Sequence, residues 1–227
     1  MAVLKIAVLI SGRGSNLKAL IEATQSPNFP AKIVCVMSNI ADAKGLDHAL
    51  VAGIPTFVIN HRDYKKREDF ERVLDEKLTS YGVQLICLAG FMRLLTSWFV
   101  DRWRDRLINI HPSLLPSFPG LDTHQKAIDY GVKFTGCTVH FVRSEMDHGP
   151  IIVQAAVPVA MEDTEATLAA RVLLAEHRLY PQAVQFIAEN RVNVFEEKAF
   201  VADTKAPRDM LINPEYKTTL VKNEPTT

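Results

Sequence analysis

Short apolar runs alternate with longer amphipathic segments along the first half of the chain. The apolar runs lie at residues 5–10, 32–37, 56–59, 84–89 and 106–110. Segments with helical spacing of apolar residues lie between them, at residues 16–24, 42–52, 63–80 and 96–103. The runs are almost continuously apolar, as expected for strands that helices cover on both faces. The pattern predicts βαβ crossovers, a parallel sheet and a Rossmann-like N-terminal half.

The pattern changes in the second half of the chain. Residues 135–142 and 150–159 are two extended segments, and the turn-rich residues 143–149 between them leave no room for a helix. Two strands connected in this way pair antiparallel. Residues 164–189 predict one long core-facing helix, and residues 191–200 predict a last strand. The expected fold is therefore α/β, a single mixed, mainly parallel sheet with helices on both faces and antiparallel C-terminal strands.

The chain shows no internal repeat, no low-complexity tract and no clear interdomain linker. We therefore expect one domain over residues 1–200. A polar C-terminal tail follows at residues 201–227, and it contains Pro207, Pro214 and Pro225. Such a tail is typically mobile or loosely packed.

Composition limits the classes of partner and compartment. Lys plus Arg and Asp plus Glu number 26 each, so the net charge is zero and no basic excess is available for nucleic acid. No window approaches the roughly 18 apolar residues of a membrane span, and the apolar run after Lys5 is too short for a signal peptide. An odd number of cysteines, Cys35, Cys87 and Cys137, suits a reducing compartment. We expect a cytoplasmic protein with small-molecule partners, whether monomer or homodimer.

The first candidate motif is Ser-Gly-Arg-Gly-Ser-Asn-Leu at residues 11–17, where the first strand should end and the first helix begin. Glycines allow close backbone approach, and a helix N-terminus attracts an anion. Leu17 stands where a dinucleotide fingerprint has its third glycine, and no Gly-Lys-Ser/Thr of a Walker motif is present. Two interpretations stay open: a phosphate site, or a tight turn with Ser15 or Asn16 as helix cap.

The second candidate motif runs from Ile108 to Gly120 and holds three prolines. Asn109 and His111 lie two apart on a strand and so face the same side, at the carboxyl end where α/β sheets bind ligands. Pro112 biases His111 towards extended geometry. The alternative is a buried structural histidine. A third candidate, Asp147, lies in a turn before Gly-Pro and acts with His111 only if the chain folds it back.

Other chemistries find little support in the sequence. His124, His140 and His148 match no common ligand spacing, and no cysteine pair accompanies them, so we expect no metal. No Gly-x-Ser-x-Gly elbow provides a serine nucleophile.

Four motifs together resemble one family, the phosphoribosylglycinamide formyltransferases of purine biosynthesis. The resemblance covers residues from about 5 to about 200. The matching pieces are Ile-Ser-Gly-Arg-Gly-Ser-Asn-Leu at 10–17, Leu-Ala-Gly-Phe-Met-Arg at 88–93, Asn-Ile-His-Pro-Ser-Leu-Leu-Pro at 109–116, and Thr-Val-His-Phe-Val at 138–142 followed by Asp-His-Gly-Pro-Ile at 147–151.

The resemblance implies the cosubstrate 10-formyltetrahydrofolate and a role for each matching residue. It implies a catalytic trio of Asn109, His111 and Asp147. It implies a ribonucleotide site that comprises Gly14, Ser15, Asn16, Arg67 and Glu176. It implies a folate pocket lined by Met92, Arg93, Leu95, Arg143 and Met146.

The chain departs from the family pattern at three positions. Asp122 replaces a histidine found in some members, Arg13 replaces a frequent asparagine, and His148 replaces a glycine seen next to the aspartate in bacterial members. These changes put the surroundings of the site in doubt, not the trio.

Three alternatives differ in what receives the formyl group or whether any transfer occurs. A formyltetrahydrofolate hydrolase uses the same trio, but such enzymes usually carry an extra N-terminal domain. A methionyl-tRNA formyltransferase is disfavoured by the neutral charge and the missing RNA-binding domain. A non-catalytic nucleotide or folate sensor would be expected to lose a member of the trio, and all three are present.

Overall fold

The computed structural model describes residues 3–206 and 210–214, and within them the chain forms nine strands and six α-helices. The strands are β1 (Leu4–Ile10), β2 (Ala31–Ser38), β3 (Thr56–Val58), β4 (Leu85–Leu88), β5 (Leu107–His111), β6 (Phe134–Phe141), β7 (Ile151–Pro158), β8 (Val192–Phe195) and β9 (Lys198–Val201). The helices are α1 (Ser15–Thr24), α2 (Gly45–Val51), α3 (Arg67–Ser80), α4 (Ser97–Arg102), α5 (Thr123–Asp129) and α6 (Glu165–Ala188).

Seven strands form one sheet in the order β3-β2-β1-β4-β5-β6-β7. Strands β1 to β5 pair in parallel, whereas β6 and β7 are antiparallel. The predicted mixed, mainly parallel sheet is confirmed. Because the strand order reverses between β1 and β4, a crevice opens outside their carboxyl ends, which is where such sheets bind ligands.

Two apolar cores cover the two faces of this sheet. Along β1, Ile6, Val8 and Ile10 pack on one face with α1, α2, α5 and α6, while Ala7 and Leu9 pack on the other with α3 and α4. Side chains alternate across a strand, so a strand covered on both sides must be apolar at every position. This explains the continuous apolar runs of the sequence.

Two details of the predicted fold are wrong. The expected single strand over residues 191–200 is a hairpin of β8 and β9, whose turn residues Glu196 and Glu197 have φ values of 47° and 57°. The short helix α5 was not predicted, because its seven residues contain only two apolar positions, Ala127 and Ile128.

The division into one domain over residues 1–200 and a tail stays a prediction. Within the tail, the Asn213 amide donates to the backbone oxygens of Val159 at 3.0 Å and Lys133 at 2.5 Å. Pro207 and Pro225 lie outside the described residues. In the described part of the chain, no helix is both long and apolar enough to cross a membrane.

Candidate active site

The structure brings together Asn109, His111 and Asp147, which are up to 38 positions apart in the sequence. Asn109 and His111 lie at the carboxyl end of β5, where the neighbouring strand β6 places His140 opposite Asn109 and Thr138 opposite His111. Asp147 comes from the loop between β6 and β7 and has a left-handed backbone, φ 53°. All three line one cavity.

His111 is almost fully buried, and both of its ring nitrogens face oxygen acceptors. Nε2 lies 2.9 Å from the Phe118 carbonyl, and Nδ1 lies 3.4 Å from Oδ1 of Asp147. A carbonyl oxygen only accepts, so Nε2 donates to Phe118, while Nδ1 faces the Asp147 carboxylate. The other Asp147 oxygen, Oδ2, accepts the Gly120 N–H at 2.7 Å. The carboxylate is therefore held beside the ring by the last residue of the proline-rich motif.

The side-chain amide of Asn109 is oriented by His140. Nδ1 of His140 lies 3.0 Å from the Phe141 carbonyl and must donate to it, so Nε2 is an acceptor. Nδ2 of Asn109 lies 3.4 Å from that Nε2 and supplies the proton. The pKa of His140 is lowered by its burial, which favours the neutral ring that this arrangement requires. The second amide N–H of Asn109 stays available at the cavity wall.

The cavity beside the trio has a volume of about 550 Å³. Met92, Arg93, Leu95, Arg143 and Met146, the residues predicted for the folate pocket, all line it. Several large apolar side chains on its walls are more than half exposed: Met92, Leu94, Leu121 and Met146. An exposed apolar patch around a concave site is typical of a surface that covers an apolar ligand.

Hydrogen bonds at both ends fix the cavity wall that contains Met92 and Arg93. At one end the Met92 N–H donates to Oγ of Ser11 at 2.8 Å. At the other end the fully buried Glu71 accepts the Thr96 N–H at 2.8 Å and also the Thr96 hydroxyl. Burial raises the pKa of Glu71, and the bonds from Thr96 oppose that rise. The wall is therefore attached to the loop after β1 and to α3.

The predicted phosphate motif contains Gly14, which caps α1 with φ 73°. No side chain caps this helix, so the alternative of Ser15 or Asn16 as cap is not what the structure shows. A Cβ on Gly14 would lie 2.5 Å from the Cα of Gly45, so only glycine fits. The first N–H groups of α1 therefore have no side-chain acceptor from the cap residue.

A carboxylate from a distant helix lies beside this loop. Glu176 of α6 is buried, and its Oε2 accepts from Nδ2 of Asn16 at 2.7 Å. Burial raises the pKa of Glu176, while the Asn16 bond lowers it. Oδ1 of Asn16 is buried and has no hydrogen-bond partner. Arg67, by contrast, begins α3 and is exposed, and no hydrogen bond within the described residues joins it to this loop.

Other polar atoms left without partners lie around the cavity. They include Nε of Arg93, Oγ1 of Thr123 and Nδ1 of His124, and all three residues line the cavity. Since buried polar groups are normally paired, these atoms are available to pair with a bound molecule. Thr123 and His124 were not predicted as site residues, because helix α5 was not predicted. In the described residues, no group of three or more His, Cys, Asp or Glu could hold a metal ion.

These features define a class of α/β protein with an uncapped helix N-terminus after β1 and an apolar cavity beside a His-Asp pair and an oriented amide. The chain belongs to the formyl transferase family, whose family model matches residues 4–184.

Similar proteins come from animals and bacteria. The chain is 53% identical over 192 residues to the human trifunctional purine biosynthetic protein adenosine-3, covering 85% of this chain and 19% of that protein. It is 42% identical over 204 residues to the Escherichia coli phosphoribosylglycinamide formyltransferase, covering 90% of this chain and 96% of that protein. The crystal structure of glycinamide ribonucleotide transformylase 1 from Symbiobacterium toebii superposes with a TM-score of 0.86, at 44% identity, covering 88% of this chain and 95% of that one. The chain thus spans about a fifth of the trifunctional relative and nearly the whole of the bacterial ones.

Proposed function

We propose that the chain transfers a formyl group from 10-formyltetrahydrofolate to the amine of glycinamide ribonucleotide, a step of purine biosynthesis. The observation that carries the proposal is the pairing of His111 with Asp147 beside the oriented amide of Asn109, at the wall of an apolar cavity. The relatives named for this reaction support the choice of substrates.

The reaction requires stabilisation of one oxygen. The substrate amine attacks the formyl carbon, a C–N bond forms, and the carbonyl oxygen becomes an oxyanion. Collapse of this intermediate breaks the bond to N10 of the folate, which takes up the proton lost by the amine. The free N–H of Asn109 is suited to donate to the oxyanion, and loss of one such donor costs about 10²- to 10³-fold in rate.

The proposed role of His111 differs from that of Asn109. Because its Nε2–H donates to the Phe118 carbonyl, His111 donates to the oxyanion from Nε2 only after leaving that acceptor. The Asp147 carboxylate, 3.4 Å from Nδ1, orients the ring. Asp147 is also placed to orient a water molecule that carries the proton from the amine to N10.

The ribonucleotide is proposed to bind with its phosphate at the loop of Gly14, Ser15 and Asn16. The uncapped N–H groups of α1 favour an anion. The buried carboxylate of Glu176 and the unpaired Oδ1 of Asn16 are both acceptors, and so they suit the ribose hydroxyls or the amine of the substrate. Arg67 is proposed to add a positive charge from α3 after moving towards the phosphate.

The folate is proposed to occupy the cavity lined by Met92, Arg93, Leu95, Arg143 and Met146. A flat heterocycle would cover the exposed methionines, and its polar edge would supply an acceptor for the unpaired Nε of Arg93. No step of this reaction requires a metal ion.

We further propose that the reaction takes place in the cytoplasm, with small molecules as the only substrates. All three cysteines are free and buried, which suits a reducing compartment. The balanced charge argues against nucleic acid as a partner.

An assay of deformylation tests the function. The purified chain is incubated with 10-formyltetrahydrofolate, with and without glycinamide ribonucleotide, and loss of the formyl group from the folate is followed. We expect turnover only when the ribonucleotide is present. Equal turnover without it would instead identify a hydrolase, and binding of both compounds without turnover would identify a sensor.

A further inference from the structure

The C-terminal hairpin reaches the cavity through a group of four charged residues. Glu197, in the turn between β8 and β9, accepts from Nε of Arg143 at 2.5 Å and also pairs with Arg104. Nη2 of Arg143 donates to Asp105 at 2.7 Å. The hairpin lies beyond residues 4–184, the part of the chain that the family model matches.

The side chain of Arg143 is 9% exposed, although it belongs to a surface loop. Its third nitrogen, Nη1, donates to the Val142 carbonyl at 3.1 Å, so all three guanidinium nitrogens are occupied. Burial opposes the charge of Arg143, but the hydrogen bonds and charges of Glu197 and Asp105 outweigh it and raise its pKa. Arg143 is thus held in one orientation from two sides.

Arg143 is also the second residue of the loop that presents Asp147. The Arg143 N–H donates to the His148 carbonyl at 3.2 Å and closes the loop at its base. Gly149 follows, and only glycine fits there, because an added Cβ would lie 2.0 Å from the Phe141 carbonyl oxygen. The Cγ of Arg143 would lie 3.1 Å from that same Cβ, so the side chain packs directly on the end of the loop.

We propose that Glu197 is a positioning residue for formyl transfer: by holding Arg143, it fixes the base of the loop that places the Asp147 carboxylate against His111. This inference rests on the proposed function. Glu197 does not line the cavity and so acts through Arg143 rather than on the substrates. The contact between Asp147 and His111 is 3.4 Å, so a small movement of the loop would break it.

The kinetic test compares Glu197→Gln with Glu196→Gln, a matched change at the adjacent turn residue. Glu196 is exposed and makes no ion pair among the described residues. We expect Glu197→Gln to lower kcat/KM for 10-formyltetrahydrofolate about tenfold, because small misplacement of a reacting group is costly. The KM for the ribonucleotide should not change. The double variant with Arg143→Gln should be no slower than Arg143→Gln alone, because both changes act through one contact.

Hydrogen exchange measured by mass spectrometry gives a readout that does not depend on activity. Amides of residues 143–149 should exchange faster in Glu197→Gln than in the wild-type chain or in Glu196→Gln, with unchanged exchange in the strands of the large sheet. Unchanged exchange in this loop, unchanged kinetics, or faster exchange throughout the chain would each overturn the proposal. A wild-type chain without ribonucleotide-dependent turnover would refute the proposed function instead, while the exchange result would still show whether Glu197 holds the loop.

Discussion

At the scale of single residues, the protonation state of His140 determines which atom Asn109 presents to the cavity. A neutral His140 with its proton on Nδ1 accepts from Asn109 and leaves one amide N–H for the substrate oxygen. A protonated His140 has no lone pair to accept with, so the Asn109 amide would lose its orientation. The proposed oxyanion donor thus depends on a histidine that does not itself need to contact the substrate.

A buried, neutral His140 should make the free energy of unfolding depend on pH. Burial lowers the pKa of His140 in the folded chain below its ordinary value of 6.5, which it keeps when unfolded. Below about pH 6.5 the unfolded chain therefore binds a proton that the folded chain does not, and the free energy of unfolding falls as pH falls. His140→Gln should reduce this fall by roughly 1 kcal/mol between pH 7.5 and 5.5.

Urea unfolding of both chains at several pH values between 7.5 and 5.5 provides the measurement. His124 and His177 also have pKa values lowered by burial, so part of the pH dependence should remain in the variant. The raised pKa values of Glu71 and Glu176 act with opposite sign but are common to both chains, so they cancel in the comparison. Identical pH dependence in the two chains would show that His140 titrates normally.

At the scale of elements, α1 and α6 differ in which groups accept hydrogen bonds from the free backbone N–H donors at their N-termini. The N-terminus of α6 is closed by a capping box, in which Thr164 accepts the Thr167 N–H at 3.2 Å and Thr167 accepts the Thr164 N–H at 3.0 Å. The N-terminus of α1 has Gly14 as its cap and no side-chain bond. The first arrangement stabilises a helix, and the second leaves donors for a ligand.

Ser15→Asp should therefore weaken binding of the ribonucleotide. A carboxylate at the first residue of α1 repels the substrate phosphate, and we expect the KM for the ribonucleotide to rise about tenfold with little change in the KM for the folate. Thr164→Ala is the comparison: it should lower the free energy of unfolding by about 1 kcal/mol and leave both KM values unchanged. An unchanged ribonucleotide KM in Ser15→Asp would mean that the loop is only a turn.

The elements that sequence patterns predicted are those whose local signals agree with the tertiary structure. Strands β1 to β5 are continuous apolar runs, and α6 has apolar positions at helical spacing, so both were predicted. The hairpin of β8 and β9 was missed, because its turn is Glu196-Glu197 rather than the Asn-Gly or Asp-Gly that usually adopts positive φ. Helix α5 was missed, because its neighbours in the fold, not its own seven residues, stabilise it.

At the scale of the whole molecule, the two proposed substrate sites are adjacent because β1 and β4 are neighbours in the sheet. Ser11, the first residue after β1, begins the phosphate loop, and its hydroxyl also accepts the Met92 N–H of the cavity wall. The same hydroxyl donates to Oδ1 of the buried Asn39 at 2.6 Å. One side chain therefore connects the loop after β1 to the loop after β4.

Ser11→Ala should loosen the cavity wall while leaving the N-terminus of α1 intact. The Met92 N–H loses its acceptor, and we expect the KM for the folate to rise about fivefold, in line with the net value of one hydrogen bond. The KM for the ribonucleotide should change less than twofold. Ser80→Ala, at the C-terminal end of α3, removes a hydroxyl bonded only to its own helix and should change neither constant. A change in the ribonucleotide KM alone would contradict this account of Ser11.

The sequence pattern alone does not show which residues far apart in the chain lie close together in the fold. Asn16 and Glu176 are hydrogen-bonded although they are 160 positions apart in the sequence. The contact between His111 and Asp147 depends on a left-handed backbone at Asp147. Neither follows from local pattern, because loop conformation is set by the strands that the loop connects. The resemblance to a family named these residues, and the structure places the members of each pair together.

The central claim is that Asn109, His111 and Asp147 act as one unit on a single carbon. Its most direct test is the rate of ribonucleotide-dependent formyl transfer in Asn109→Ala, His111→Ala, Asp147→Asn and the double variant of His111 and Asp147, with the fold of each verified by hydrogen exchange. We predict that each single change lowers kcat by about 10²-fold or more. We also predict that the double variant is no slower than the slower of its two single variants. A single variant with nearly wild-type turnover, or a double variant whose losses multiply, would contradict the claim.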